Sequence, residues 1–459
     1  MVLQFRHLYL NFRILFCCSV LLWFITTDRA LAQGTESLLF TLKQAQEYAI
    51  EHNPTIHNAV LDVEIAKKVI WENTAMGLPQ INGSVGYTNN LSLATTLIPA
   101  EFFGGEPGTF QEVRFGTQHN ANAVLTASQL IFNGPYIVAL QAAKIYKRVS
   151  EQTLEKTEYD VKEIVAQNYY LVLLSQETIK TLKENQQNLE KILNESRELY
   201  RAGYMEETDV DQLQVTLTSV ENSVRSMERQ LEIAINLFRY QMGIDPDIKI
   251  VLTEDLENIL RQIDLEAMLV KEFNLNDHVD YRLLNTQEQL AYLDLRRTKA
   301  EYWPTLSAYF SNQRTALRNE FDFLDFDQKW FPSSMLGITL NVPIFSSGMK
   351  RSQVSQKRLT WEKSKNSKDF AAQGLFLENQ QARYDFNTAL EQYYSEKGNL
   401  ETAGEIFERT SIKYREGIIS SLDLTQVNNQ YLQTQTSYIS ALFELLNAKI
   451  RLDRSLNQL

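Results

Sequence analysis

The sequence predicts a mainly α-helical protein with a small β part, built as two copies of one arrangement. Three observations predict it. A long stretch without proline carries apolar residues at helical spacing, four short stretches alternate polar and apolar residues, and a set of motifs occurs twice in the same order.

Residues 1–32 read as an export signal. Arg6, His7 and Arg13 precede an apolar run from Ile14 to Ile25, and Ala30-Leu31-Ala32 offers small residues for cleavage, so the mature chain begins at Gln33. The run is about a dozen residues against the roughly 20 of a spanning helix, and an uncleaved anchor is the alternative reading. No later segment can span as a helix. Cys17 and Cys18 both lie in this run, which leaves the mature chain without a thiol for a disulfide, a thiolate metal site or a nucleophile. Neither cysteine follows a small residue at the end of the run, so no lipid-attachment site is expected.

The remainder repeats itself. Gly77-Leu78-Pro79-Gln80-Ile81 answers Tyr302-Trp303-Pro304-Thr305-Leu306 at an offset of 225, Leu130-Ile131-Phe132-Asn133-Gly134 answers Pro343-Ile344-Phe345-Ser346-Ser347 at 213, and Tyr200-Arg201-Ala202-Gly203 answers Tyr414-Arg415-Glu416-Gly417 at 214. The drop of twelve is explained by one insertion in the first copy, placed at Leu91 to Gln118. The first repeat is assigned to 33–243, an inter-repeat segment to 244–264 and the second repeat to 265–459.

In the first repeat, Asn53 before Pro54 reads as a helix cap with proline at the first helical position. Pro79 ends that helix where a strand begins. Strands are predicted at about 81–91 and 120–132. Ile81, Val85 and Tyr87 oppose Asn82, Ser84 and Thr88 in one, and Ala121, Ala123, Leu125 and Ala127 oppose Asn120, Asn122, Thr126 and Ser128 in the other. Helices are predicted at about 136–202 and 205–242. No proline occurs from Ile137 to Met242, which permits some sixty-six helical residues before Gly203, roughly 100 Å of helix. The return helix shows Val210, Leu213, Leu217, Val220, Val224, Met227, Leu231, Ala234 and Phe238 in alternating steps of three and four, a coiled-coil seam.

The second repeat has strands at about 304–312 and 335–345 and helices at about 349–415 and 420–456. Leu306, Ala308 and Phe310 oppose Thr305, Ser307 and Ser311, and Leu336, Ile338, Leu340 and Val342 oppose Thr339 and Asn341. Its first long helix carries Gly374, Gly398 and Gly404, each about 1 kcal/mol worse than alanine, so a kink or bulge is an open expectation there. Alternation alone fits a soluble sheet as well as a membrane barrel. The small, neutral character of the polar faces favours a barrel lumen. Four strands cannot close a barrel in lipid, so strands that meet lipid must belong to an oligomer.

Lys plus Arg number 45 against 57 Asp plus Glu, a net charge of -12, which argues against nucleic-acid binding and against adsorption to a membrane through a basic face. The sequence has no phosphate-binding glycine loop with a lysine, no nucleophile elbow and no zinc helix motif, and Glu206 and Glu207 belong to a charged turn. His52, His57, His119 and His278 lack metal-ligand spacing. No enzyme activity, cofactor or metal is therefore expected. Trp330-Phe331-Pro332 reads as interfacial or loop packing.

With these features in place, the chain resembles the TolC-type outer-membrane efflux protein family. The resemblance rests on the duplicated helix-strand-strand-helix order, the strand starts after Pro79 and Pro304, Phe132-Asn133-Gly134 and Phe345-Ser346-Ser347-Gly348 at strand ends, and the two Tyr-Arg-x-Gly turns with Asp209 and Asp423 six residues on. It implies a homotrimer with a twelve-stranded transmembrane β-barrel and a tunnel of long antiparallel coiled-coil helices. It places the protein in the outer membrane of a Gram-negative bacterium with most of the chain in the periplasm. The partners it implies are outer-membrane lipid, a periplasmic adaptor (membrane fusion protein) and an inner-membrane transporter. Residues from about Ile244 to Asp264, with the C-terminal end, would form a belt.

The resemblance also assigns roles at the turns. Gly203 and Gly417 mark the periplasmic entrance. Asp423 matches a constriction-ring acid, while the second acidic position is Gln426. Tyr414 matches a latch tyrosine whose partner aspartate matches Asp209, with Gln212 three residues on, and the arginine that joins the latch falls at Ile419. Plainer readings stay open: the glycines as left-handed helix C-caps, the aspartates as first-turn acids, and Tyr414 as packing. A periplasmic coiled-coil adaptor or scaffold, or a secreted structural protein, remains the alternative function.

Overall fold

A computed structural model of the protein describes residues 38–459, apart from 264–267, 269, 324 and 326. The expected export signal with its two cysteines, and the expected boundary at 264/265, lie outside the described residues. In chain order the first part comprises β1 (Leu38–Phe40), α1 (Leu42–His52), α2 (Pro54–Ala75), β2 (Gln80–Asn89), β3 (Thr95–Pro99), β4 (Phe110–Arg114), β5 (His119–Asn133), α3 (Gly134–Arg201) and α4 (Glu207–Met242). Then follow β6 (Ile250–Leu252), α5 (Leu256–Arg261), α6 (Val279–Ala300), β7 (Thr305–Arg318), β8 (Phe331–Asn341), α7 (Met349–Arg415) and α8 (Ser421–Ser455). The duplicated order is plain: helix, strand, strand, long helix, turn, long helix. The described chain divides into two compact units, one of residues to 56, 158–272 and 380–459, the other of 57–157 and 273–379.

The first unit is helical apart from one pair of short strands. The seam residues of α4 are all buried or half-buried, with Leu213, Leu217, Val220, Val224, Ala234 and Phe238 buried. In α8 burial extends beyond one stripe: Leu442, Leu445, Leu446, Ala448 and Leu452 are all buried. In the same unit β1 pairs in parallel with β6. The Tyr169 hydroxyl donates to the Phe40 carbonyl (3.2 Å) and to Glu254 Oε2 (3.0 Å), and Glu254 also accepts from the Leu42 amide (2.7 Å). Asn53 acts as expected, accepting from the Thr55 amide at 2.7 Å, and its Nδ2 donates to the Gln241 carbonyl at 2.6 Å.

The second unit contains the sheet, ordered β2-β5-β7-β8 and antiparallel throughout. Its register puts Ile81, Ala127, Phe310 and Leu336 in one row, and Asn82, Thr126, Ser311 and Met335 in the adjacent row on the opposite face. Asn133, Thr305 and Asn341 pair at one end, so both helix-to-strand and strand-to-helix junctions lie there. β5 passes into α3 without a linking residue. Asn133 makes this join: its Oδ1 accepts from the Tyr136 amide (2.8 Å) and its Nδ2 donates to Thr305 Oγ1 (3.1 Å). A Cβ on Gly134 would meet the Trp303 ring at 2.7 Å, so the close approach needs glycine.

Several expectations are corrected. The third strand was expected to end near residue 312 but continues to Arg318, because its ladder with β5 holds through the polar run Asn312-Gln313-Arg314. That extension puts Arg314 on the apolar face, beside Ala123 and Pro332. The fourth strand spans 331–341 rather than 335–345, since Pro343 lacks a donor, while Pro332 is tolerated on an edge strand. The first strand ends at Asn89, not residue 91. The segment assigned to the insertion carries a hairpin, in which β3 and β4 pair around a short 3₁₀ turn at Ala100–Phe103. α7 is one continuous α-helix through Gly374, Gly398 and Gly404. Among the described residues no helix is long and apolar enough to cross a membrane.

Candidate functional site

The first unit brings the two Tyr-Arg-x-Gly turns together. In each, the glycine is left-handed, with φ 79° at Gly203 and 73° at Gly417. The Gly203 amide donates to the Tyr200 carbonyl and the Tyr204 amide to the Leu199 carbonyl, both at 2.9 Å. The Gly417 amide donates to the Tyr414 carbonyl and the Ile418 amide to the Lys413 carbonyl, again at 2.9 Å. Both turns are thus the same Schellman cap, which closes the last carbonyls of a long helix and reverses the chain within a few residues.

Under the turns lies a common core. Leu189, Ile192 and Leu193 of α3, Leu213, Leu217 and Val220 of α4, Tyr414 of α7 and Leu424 of α8 form one buried cluster, with Met205, Val210 and Ile419 packed against it. The cleft above it, about 640 Å³, is lined by residues that include Asp209, Tyr414, Gly203, Gly417 and Ser421.

At the turns, too, hydrogen bonds cross between the repeats. The Tyr414 and Ser196 hydroxyls lie 2.8 Å apart, and Asp209 accepts from the Ser421 hydroxyl. Tyr414 therefore has a different partner from the aspartate that the resemblance implied, although burial, followed by the nearby Asp209 charge, pushes its phenol above the ordinary range. The Ser421 hydroxyl gives Asp209 a contact on the start of the opposite helix. Asp423 is exposed but not idle. Its Oδ2 accepts from the Ser420 amide (3.2 Å) and hydroxyl (2.8 Å), and its own amide donates back to Ser420 Oγ at 3.2 Å, a capping box at the start of α8. Gln426 is exposed and Gln212 half-buried. Ile419 is partly buried in the core and offers no charge. Ser196 and Ser421 were not singled out by sequence reasoning. Ser196 is a small polar residue among Leu189, Ile192 and Leu193, Ser421 shares its buried face with Leu424, Thr425 and Asn428, and only the assembled helices reveal their bonds.

The sequence profile of the outer membrane efflux proteins matches residues 45–240 and 285–458, once over each repeat. The chain belongs to the outer membrane efflux protein family. Members of this family are trimeric outer-membrane channels of tripartite efflux systems, which makes the outer membrane the location of this efflux protein and export its task. The family is one of ducts rather than of enzymes.

Solved structures agree in fold. CusC, studied for folding and transmembrane channel formation, superposes at a TM-score of 0.71 with 15% identity, over 93% of this chain and 95% of that one. The CmeC outer membrane channel of Campylobacter jejuni gives 0.70 with 18% identity over 91% and 85%. The VceC outer membrane protein of Vibrio cholerae gives 0.68 with 14% identity over 90% and 95%. No curated protein matches the efflux protein in sequence comparison.

Proposed function

We propose that the chain is a passive exit duct. Three copies close twelve strands into an outer-membrane barrel, and the long helices extend into the periplasm. The turns at Gly203 and Gly417 dock on a periplasmic adaptor coupled to an inner-membrane transporter, which supplies the energy.

The observation that carries this reading is the unfinished sheet. Among the described residues β2 and β8 have no strand on their outer sides, and they are of similar length, ten and eleven residues. Because directions alternate across the four strands, β8 of one copy meets β2 of the next antiparallel. Such edges cannot stand open in hydrocarbon, and the smallest single-chain barrels have eight strands. The apolar face is also unprotected, with Leu336 80% and Ile338 71% exposed. On α7, Phe370, Leu377 and Tyr384 recur exposed at a seven-residue spacing, a further stripe suited to a neighbouring helix.

Within this duct, three copies of Asp423 around the axis form a carboxylate ring at the entrance, and Gln426 leaves it single. Tyr414, Asp209 and Gln212 belong to the helices that must separate for opening. Fractionation tests the whole reading: a detergent-requiring outer-membrane trimer is the expected form. A soluble periplasmic monomer overturns it in favour of an adaptor or scaffold. Cysteine cross-links from residues 204–207 and 418–421 to a co-expressed adaptor are expected, and cross-links confined to the sheet end reverse the orientation.

A further inference from the structure

The chain carries a net charge of -12, yet residues 349–368 hold seven lysines and arginines against one glutamate. This basic stretch opens α7, which a short segment, residues 342–348, joins to the end of β8. Cations in a first helical turn oppose the helix dipole, so local helix stability does not explain Lys350 and Arg351. Lys350 is engaged, donating to the Glu301 carbonyl and lying 5.6 Å from the Tyr302 ring centre. Lys357 pairs with Asp294 at 2.7 Å. Arg351, Arg358 and Lys365 differ: they recur every seven residues, are exposed, and make no ion pair among the described residues.

What precedes them is apolar. The exposed alternation Leu336, Ile338, Leu340 does not stop with the strand but runs on through Val342 to Ile344, which is 92% exposed, and Phe345 at 87% follows. At the same end of the sheet Trp303 is exposed just before Thr305. Along the chain the order is hydrocarbon-type side chains, then aromatics, then cations. That is the order of a bilayer core, its interface and its headgroups.

We infer that the stretch from Val342 to Arg358 binds the anionic headgroups of phospholipids in the leaflet at the helix end of the sheet. The inference rests on the proposed membrane position of the sheet. Its reach follows from helix geometry. Headgroups add about 5–8 Å beyond the hydrocarbon on each side, and their potential fades within a Debye length of about 8–10 Å. Each seven-residue step along α7 advances about 10 Å. Arg351 therefore lies among the headgroups, Arg358 at the edge of their field, and Lys365 beyond it.

The test uses the full-length protein purified in neutral detergent, titrated with phosphatidylglycerol and, separately, phosphatidylcholine in mixed micelles, with bound lipid counted by native mass spectrometry. Wild-type protein should prefer phosphatidylglycerol. Arg351→Gln should weaken that preference roughly fivefold, Arg358→Gln less, and Lys365→Gln not measurably, while Arg351→Lys restores most of it. Millimolar inorganic phosphate should not compete. Equal binding of both lipids overturns the inference, as do full competition by phosphate and an effect of Lys365→Gln equal to that of Arg351→Gln. Variants that change ion preference in planar bilayers but not lipid binding also overturn it, assigning the stripe to the conducting path instead. Each variant is first shown to be an outer-membrane trimer. If wild type is not, the duct reading has failed, and that is a separate result from a trimer without lipid preference.

Discussion

The hydroxyl of Tyr414 meets that of Ser196 at 2.8 Å in a buried position, tying the last turn of α7 to α3 by a link that carries no charge. Ser196 also donates to the Ile192 carbonyl at 2.8 Å, so it keeps a partner when the phenol is removed. Tyr414→Phe should therefore subtract one net hydrogen bond, about 1 kcal/mol, without creating a buried orphan. In planar bilayers the ratio of open to closed duct should rise about fivefold. Unchanged opening would reduce Tyr414 to packing.

Asp423 is proposed as the entrance ring and is seen in a capping box, and two substitutions separate these roles. Asp423→Asn should lower cation preference and relieve block by a trivalent ion, because three carboxylates held close attract cations strongly. Ser420→Ala removes the cap and should cost about 1 kcal/mol in helix stability while leaving ion preference intact. If Asp423→Asn changes only thermal stability, the carboxylate is a helix terminus and nothing more.

Arginine on the apolar face of the sheet should cost about 2 to 4 kcal/mol near the bilayer midplane. Leu125→Arg and Ile338→Arg place one such charge in each repeat. Both should lower the yield of outer-membrane trimer sharply. Normal yields for both would remove the sheet from lipid.

At Gly203 and Gly417 an added Cβ meets no atom within 4 Å, so substitution is felt through the backbone alone. Alanine in the left-handed conformation should cost about 1–2 kcal/mol at each turn, and asparagine less. Thermal unfolding of Gly417→Ala and Gly417→Asn gives the comparison. Equal stability of all three proteins contradicts the Schellman assignment.

Burial, reinforced by Glu254, pushes the Tyr169 phenol above its ordinary value of about 10, and burial does the same at Tyr414. A raised folded-state value means that the folded chain holds its proton while the unfolded chain loses it. The contribution to stability is therefore complete below about pH 10 and falls as pH climbs through that value toward the raised one. Circular dichroism between pH 8 and 12 should show unfolding begin only above about pH 10, later for Tyr169→Phe if the protein tolerates that change. A transition centred near pH 8 would point to other groups.

Much of the fold was legible because its signals are local and periodic. Val210 through Phe238 announce a seam by spacing alone, and Ile81, Val85, Leu336 and Ile338 announce a face by alternation. Legibility failed where a neighbour overrides the local pattern. Asn312, Gln313 and Arg314 read as the end of a strand, yet hydrogen bonds to β5 carry it onward. The hairpin of β3 and β4 is too brief for its alternation to stand out in the sequence. At the turns, Gly203, Gly417 and Asp423 were found by motif, whereas Ser196 and Ser421 act through side chains some two hundred residues away in sequence. No pattern within one segment encodes that pairing.

The open sheet also bears on how the protein is made. A chain with two bare edges and an uncovered apolar face has no finished form alone in water or in lipid. Insertion and association are then one event, governed by mass action, and dilution of newly exported chains favours loss over completion. Such a polypeptide depends on being escorted until its siblings arrive, and scarcity of the protein should limit its function more steeply than in direct proportion.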